Sequence, residues 1–364
     1  MNILKTIFAT QTSLFASLEE ENLDPLTEKE QQFVRILALA PFARFTGQWG
    51  WKGIGRRPCS RECIARAFTL KALYNFPTTV MLYAYLVNNK NARSLCGWEL
   101  KTDPPSLSTF SRAFDAFAAS DLAAQVHEEM IKSALENKLV GHISRDATEI
   151  EAREKAVKKE EAPEPKPKVR RGRPRKGEVR APKKQRRLEQ QVVRSLEENL
   201  AELPAACDWG TKRNSKGHTQ TWRGYKLHLD TADGDVPVNA LLTSASVHDS
   251  QASIPLAQGT ALRVQSCYDL MDSAYDASEI YDFSRLLGHV PLIAPHPRNK
   301  ERTPFSPAEK ARFSQRSSAE RVNSMLKDNH GGRFVRVRGA AKVFTHLMFG
   351  VLVIAANQLM RLLE

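Results

Sequence analysis

The sequence predicts an α/β fold with an all-helical N-terminal region followed by a mixed-sheet region. Apolar residues recur at helical spacing from about residue 59 to 136, and short apolar or alternating runs typical of strands begin near residue 139. A length of 364 residues with 41% hydrophobic residues is enough for two domains with a buried core. We therefore expect a helical domain at residues 1–136 and a sheet-containing domain at 137–364.

Three helices are predicted in the N-terminal region. Ser60, Thr78 or Thr79, and Ser106 are suited to cap the helices that follow them. Apolar residues then repeat every three to five positions: Ile64, Phe68 and Leu73; Leu82 and Leu86; Phe110, Phe114 and Phe117. The order is typical of a compact bundle or of a helix-turn-helix variant. The bundle explains every one of these apolar residues without DNA.

Most of the net charge of +13 lies in one Pro-rich basic tract. Residues 151–187 contain 16 Lys or Arg and 6 Asp or Glu, with almost no large apolar side chains. Such a tract buries too little surface to offset the entropy of ordering, so we expect a disordered insertion. Its Arg-Gly-Arg-Pro-Arg core would place Arg171, Arg173 and Arg175 in an A·T-rich minor groove, or act as an unspecific basic linker. Either role indicates a nucleic-acid partner.

The cysteines and the apolar segments favour a reducing cytoplasm. The five cysteines are scattered, without the paired CxxC spacing of zinc sites. Thr, Gln and Ser interrupt the apolar residues at the N-terminus, which does not match a signal peptide. The apolar run at 347–356 is ten residues long, which predicts a buried core helix and no membrane span.

Strand and helix patterns alternate in the second region. The strand candidates are 139–144, 225–230, 236–242, 267–271 and 290–294, and the helix candidates are 185–203, 249–260 and 277–287. Thr231-Ala-Asp-Gly-Asp235 between the second and third strands is typical of a hairpin turn. Three strands followed by alternating helices and strands are the element order of a ribonuclease-H-like fold.

Three carboxylates are predicted to converge in such a fold. Asp146 follows the first strand and Asp272 follows the fourth, and these two strands lie side by side. With Glu320 on a late helix they could bind two divalent cations, one activating a water or 3′-hydroxyl and the other stabilising the leaving oxygen. Taken singly, each aspartate could be an ordinary turn or strand-end residue. Asp249 is expected to cap the helix after the third strand.

Four residues near the C-terminus are predicted to share one face of a helix. Phe313, Arg316, Glu320 and Lys327 fall within about 60° of one another at 100° per residue. A carboxylate between two cations suits a metal ion beside a phosphate, with Glu320 on the metal and the cations on phosphate oxygens. A solvated charged face would have the same pattern.

This spacing resembles the Tyr-Arg-Glu-Lys signature of bacterial insertion-sequence transposases of the DDE class, with Phe313 in place of the tyrosine. Asp146-Ala-Thr148 and Asp272-Ser-Ala-Tyr-Asp276 resemble the two aspartate motifs of that family. Other segments similar to the family are Gly224-Tyr-Lys-Leu-His228, Val247-His-Asp249 and Pro105-Ser-Leu-Ser-Thr-Phe-Ser-Arg112. Phe313 lacks the tyrosine hydroxyl but could still stack on a base.

The resemblance implies a catalytic triad of Asp146, Asp272 and Glu320. The triad would bind two Mg²⁺ or Mn²⁺ ions, and Arg316 and Lys327 would contact DNA phosphates. It also implies metal-dependent cleavage at insertion-sequence ends and strand transfer into target DNA.

The implied partners are double-stranded DNA, as terminal inverted repeats and target, and further copies of the chain in a homodimer or a higher synaptic oligomer. The helical domain would serve DNA binding or dimerisation, in a bacterial cytoplasm and on the nucleoid when bound to DNA. Two alternatives stay open. One is an inactive transposase-derived DNA-binding protein or repressor, and the other is a ribonuclease-H-like nuclease without strand transfer.

Overall fold

A mixed sheet follows a region of helices, as the sequence predicts, and it has six strands, one more than the sequence predicts. The computed structural model describes residues 25–55, 57–157, 185–213, 217–296 and 304–363. Most of the basic tract lies outside these ranges, including Arg171, Arg173 and Arg175. The predicted α/β class is confirmed.

The described residues before the sheet form helices. They are α1 (Glu28–Leu39), α2 (Phe42–Thr46), α3 (Arg61–Leu73), α4 (Thr79–Asn88), α5 (Lys90–Cys96), α6 (Leu107–Ala119) and α7 (Leu122–Leu135). Ser60 and Thr78 cap α3 and α4 as predicted, because each hydroxyl accepts a hydrogen bond from a backbone amide in the first turn. Ser106 precedes α6 without such a bond.

The strands are β1 (Leu139–Glu151), β2 (Asp208–Arg213), β3 (Thr219–Ala232), β4 (Val236–Ser244), β5 (Gln265–Met271) and β6 (Val290–Ile293). β3 pairs antiparallel with β1, β2 and β4, whereas β5 pairs parallel with β1 and β6. The predicted hairpin joins β3 to β4, with Gly234 at φ 73° in its turn. β1 lies beside β5, which confirms the predicted adjacency of the strands that carry the aspartates.

Two strand predictions need correction. β1 was expected to end near Ser144, but it continues to Glu151 because the long β3 pairs with it from Ile143 to Glu151. Asp146 therefore lies within the strand and not at its end. β2 was not predicted, since its sequence, Asp-Trp-Gly-Thr-Lys-Arg, lacks a run of β-branched or alternating apolar residues.

The remaining helices alternate with the strands or follow them. They are α8 (Arg187–Gln191), α9 (Leu196–Glu202), α10 (Ser250–Ala261), α11 (Ser278–Leu286), α12 (Pro307–Phe313), α13 (Ser317–Asn329) and α14 (Ala340–Leu363). The single helix predicted at 185–203 is wrong. Ser195 and Glu198 form a capping box that starts α9 separately from α8.

α14 contains the predicted apolar run at 347–356 and is longer than that run. Among the described helices it alone has the length and apolar composition to cross a membrane, but 78% of its most apolar stretch is buried. It packs against α1, α3, α6, α7, α13 and β4. Its apolar side chains thus join those of the N-terminal helices and of the sheet in one buried cluster, which supports the prediction of a core helix.

Candidate active site

The two predicted aspartates lie next to each other where two parallel strands stop pairing. The last pair of the β1–β5 ladder is Arg145 with Met271, and Asp146 and Asp272 are the next residues of the two strands. Both carboxylates are partly buried. One Asp272 oxygen also accepts a hydrogen bond from the amide of Ala274 at 2.9 Å, so Asp272 has the turn role as well.

Burial disfavours the ionised form of both carboxylates, and a neighbouring negative charge acts in the same direction on each. Burial raises the pKa of Asp146 to about 6, and the charge of Asp272 acts in the same direction. Burial also raises the pKa of Asp272, helped by the charge of Asp249. The cations Arg316 and Lys212 partly oppose these shifts. A divalent cation would relieve the repulsion between such carboxylates.

The four residues of the C-terminal signature do not lie on one continuous helix, so this part of the prediction is wrong. Phe313 ends α12, a 3-10 turn spans Ser314–Arg316, and Glu320 and Lys327 lie on α13. Two serine hydroxyls at this turn donate to backbone carbonyls three residues earlier, which competes with regular helical geometry.

Glu320 lies one helical turn before Asn323, the residue of α13 that contacts Asp146. Its side chain is 53% exposed, and Arg316 donates a hydrogen bond to it at 2.5 Å. Asn323 donates from Nδ2 to Oδ2 of Asp146 at 3.0 Å, so α13 contacts β1 through this amide. Within the described ranges, no three His, Cys, Asp or Glu side chains are close enough to hold a metal ion. The structure therefore brings Asp146 and Asp272 together and leaves Glu320 on Arg316.

The other two signature side chains contact protein groups. Lys327 donates from Nζ to Oε1 of Glu149 on β1 at 2.6 Å. The ring of Phe313 packs against Phe305 with centroids 5.0 Å apart, and the guanidinium of Arg316 lies 5.9 Å from the Phe313 centroid. The DNA contacts expected of these residues stay predictions.

Sequence reasoning assigned no role to three side chains that lie near or contact the aspartates. Asn323 is one of them, although its position one turn after Glu320 could have indicated it. Lys212, on the unpredicted β2, lowers the pKa of Asp146 and of Asp272. Tyr275 is 1% exposed, and its hydroxyl has no hydrogen-bond partner in the part of the chain that the structure describes. Burial and the charges of the nearby aspartates raise the pKa of this tyrosine.

Asp249 does not cap α10 in the expected way. It precedes Ser250, the first residue of the helix, but its carboxylate makes no capping bond and its backbone is helical (φ −58°, ψ −36°). Lys226 instead donates to Oδ1 of Asp249 at 2.8 Å and to the carbonyl of Val247 at 2.9 Å. Asp249 is a further carboxylate near Asp272, since its charge helps to raise the pKa of Asp272.

Sheet order and carboxylate positions define the class of the protein. A mixed sheet of antiparallel and parallel strands, with two carboxylates side by side at the end of the β1–β5 ladder, is the arrangement of a ribonuclease-H-like phosphoryl-transfer enzyme. Residues 146–356, more than half of the chain, match the family model described as Transposase DDE domain, and residues 21–116 match Transposase domain (DUF772). The chain therefore belongs to the DDE transposase family and is a DNA transposase. No curated protein and no solved structure gave a significant match.

The family uses divalent metal ions and binds DNA, and the donors present here fit such an ion. Asp146 and Asp272 offer carboxylate oxygens, which Mg²⁺ and Mn²⁺ prefer. The hydroxyl of Tyr275 lies buried near them without a hydrogen-bond partner among the described residues.

We expect Asp146→Asn to stabilise the metal-free protein at pH 7.5. The folded-state pKa of about 6 lies above the ordinary value of 3.8, so between these values the folded chain binds a proton that the unfolded chain does not. Stability therefore falls as pH rises from about 4 to 6 and stays lower above that range. The amide removes this loss, which amounts to about 1–3 kcal/mol.

Urea unfolding in EDTA measures the effect. Asp282→Asn, on the exposed face of α11, is the control and should unfold like the unmodified chain. Added Mn²⁺ should stabilise the unmodified protein more than Asp146→Asn. An Asp146→Asn variant that is no more stable than the Asp282→Asn control at pH 7.5 would contradict the unfavourable ionisation of Asp146.

Proposed function

We propose that this transposase cleaves DNA at the ends of an insertion sequence and joins those ends to target DNA, with Asp146, Asp272 and Glu320 as its catalytic residues. The contact of Asn323 with Asp146 is the observation that supports this triad. It docks α13 onto β1 beside Asp272, with Glu320 one turn away. Glu320 would reach a shared metal site after leaving Arg316.

The three acids would hold two Mg²⁺ or Mn²⁺ ions per site. When bound, the ions would activate the attacking water or 3′-hydroxyl and stabilise the leaving oxygen. Asn323, by holding Oδ2 of Asp146, would fix the orientation of that carboxylate. The hydroxyl of Tyr275, which has no hydrogen-bond partner among the described residues, would supply one further hydrogen-bond donor beside the acids.

The three other signature residues would contact the DNA. Arg316, once released by Glu320, would pair with a phosphate near the cleaved bond. Lys327 would release Glu149 and pair with a second phosphate. Phe313, which is half-buried and adjoins Arg316, would stack on a base.

The rest of the chain would bring DNA ends and copies of the protein together. Residues 1–136 would form a domain for DNA binding or dimerisation, and residues 137–364 the catalytic domain, with the basic insertion at 151–187. The active form would be a homodimer or higher synaptic oligomer on terminal inverted repeats and target DNA. It would act in the bacterial cytoplasm, associated with the nucleoid when bound to DNA.

An end-joining assay tests this function. Duplexes cut from the DNA that flanks the gene are incubated with the protein, Mn²⁺ and a target plasmid, and nicking and joining are followed separately. We expect both. Binding without nicking would indicate a repressor. Nicking without joining of a pre-cleaved 3′-hydroxyl end would indicate a nuclease.

Deleting residues 155–187 should flatten the salt dependence of DNA affinity. The tract carries most of the net charge, including Arg171, Arg173 and Arg175, and a chain that binds fewer phosphates releases fewer counterions. Fluorescence anisotropy between about 50 and 200 mM salt gives the slope of log affinity against log salt. A Gly-Ser segment of equal length in place of the tract is the control for loop length and should show the same flattening. A slope equal to that of the intact chain would mean that the tract does not contact DNA.

A further inference from the structure

One loop of the N-terminal region presents an isolated apolar side chain to solvent. This tip loop, described at residues 50–55 and 57–59, lies between the 3-10 turn Gly47–Trp49 and α3. Ile54 at its apex is 90% exposed, more than any other large hydrophobic residue that the structure describes. Gly53 and Gly55 on either side have φ of 88° and 78°, a conformation that favours glycine. Apart from the adjacent residues of the loop, no atom of the described residues lies within 4 Å of where a Cβ would stand at either glycine, so the backbone beside Ile54 packs against no other described element.

The tip loop is held in shape by its own aromatic side chain. Trp51 donates from Nε1 to the carbonyl of Gly55 at 3.1 Å, which closes the turn around Ile54. The guanidinium of Arg57 lies over the Trp51 ring, 4.9 Å from its centroid. At the base of the loop, Trp49 packs edge-on against Phe117 at 5.6 Å. These contacts therefore hold the loop in a conformation that keeps Ile54 exposed.

The charge around the apex is of one sign. Residues 47–61 contain four Lys or Arg and no Asp or Glu, although Arg56 itself lies outside the described residues. Lys52 precedes Ile54 in the chain and Arg57 follows it, and both side chains are exposed. Two cations that flank an apolar tip are complementary to a polyanion whose interior is apolar, and duplex DNA is such a polyanion.

We propose that the tip loop enters the minor groove of double-stranded DNA and inserts Ile54 between two base pairs. Lys52 and Arg57 contact the phosphates on either side of the insertion. Apolar wedges of this kind unstack a base step and kink the duplex by about 20–90° toward the major groove. The isoleucine side chain is thereby transferred from water to a contact with the bases, and this burial offsets part of the free-energy cost of unstacking. The inference rests on the proposed action of the chain on duplex DNA and adds a bend to it.

DNA bending by the full chain tests the wedge. A duplex cut from the DNA that flanks the gene carries a donor and an acceptor dye at its two ends, and binding is measured in EDTA so that no cleavage occurs. We expect the unmodified protein to increase energy transfer and Ile54→Ala to bind within about threefold of the same affinity without the increase. Val193→Ala is the matched control, because Val193 is 83% exposed on a different loop.

A charge variant tests the flanking contacts. Lys52→Gln should lower the salt slope of affinity by about one while the bend persists on the DNA that remains bound. Ile54→Ala that bends DNA as the unmodified protein does would overturn the wedge. Binding of DNA by the unmodified protein without bending would also overturn it. So would a dimer that forms without DNA and that Ile54→Ala dissociates, because the loop would then make contacts between copies of the chain. If the protein bends DNA but shows no metal-dependent cleavage, the proposed catalysis is wrong and the wedge is supported. If it cleaves DNA without bending it, the wedge is wrong and the proposed catalysis is supported.

Discussion

Asp146→Asn, Asp272→Asn and Glu320→Gln should each lower cleavage and strand transfer by at least about a thousandfold, which corresponds to about 4 kcal/mol of transition-state stabilisation. Each amide keeps the shape of the side chain but lacks the charge that binds a hard divalent cation. DNA affinity should stay within a few fold, because no phosphate-binding cation is removed.

The three variants have different expected side effects. Asp146→Asn keeps an oxygen that can accept from Asn323, so α13 should stay docked on β1. Glu320→Gln loses the charge that holds Arg316, which frees that guanidinium for DNA, so a slight gain in affinity is expected. Loss of activity through unfolding would instead lower affinity in all three.

Cleavage and joining are measured on the same flanking duplexes with Mn²⁺, and affinity is measured by anisotropy in EDTA. Asp282→Asn, an exposed aspartate paired with Arg285 on α11, is the control and should be fully active. If all three variants still transferred strands at the rate of this control, the catalytic triad would be wrong. If only Glu320→Gln did, Asp249 near Asp272 would be the first alternative for the third carboxylate.

The sequence predicts the elements of the fold well where local chemistry determines them. Ser60 and Thr78 start helices because their hydroxyls bind backbone amides of the next turn, an interaction within four residues of chain. β2 was missed because pairing with β3, and not its own composition, makes it a strand. β1 was made too short for the same reason, since β3 supplies hydrogen-bond partners as far as Glu151.

The candidate site divides in the same way. Asp146 and Asp272 could be expected together because each directly follows the segment in which β1 and β5 pair as adjacent parallel strands, although β1 itself continues past Asp146. The bond between Asn323 and Asp146 joins residues 177 positions apart and depends on how α13 packs, which no local period encodes. The pairing of Asp249 with Lys226 could not be predicted from the sequence either. An aspartate that precedes a helix has the same sequence pattern whether its carboxylate caps that helix or binds a lysine elsewhere.

A buried ion pair directly beneath the site should dominate the stability of the catalytic region. Arg145 and Asp230 stand opposite each other on β1 and β3, are 2% and 0% exposed, and share two hydrogen bonds of 2.7 Å. Thr260 on α10 donates to the same carboxylate at 2.6 Å, and Arg145 also donates to Ser253 of that helix at 3.1 Å. The pair thus joins two strands and a helix at the residue before Asp146.

Asp230→Ala should therefore lower the free energy of unfolding by about 3–5 kcal/mol, because it leaves the guanidinium of Arg145 buried without its carboxylate. Urea unfolding measures the loss. Asp115→Ala, which breaks the half-exposed pair with Lys342 between α6 and α14, is the control and should cost at most about 1 kcal/mol. The double variant Arg145→Met with Asp230→Leu should recover most of the stability, because it removes both charges and keeps apolar volume. Equal unfolding midpoints for Asp230→Ala and Asp115→Ala would mean that Arg145 finds another partner or water, and that the pair does not hold β1 in place beneath Asp146.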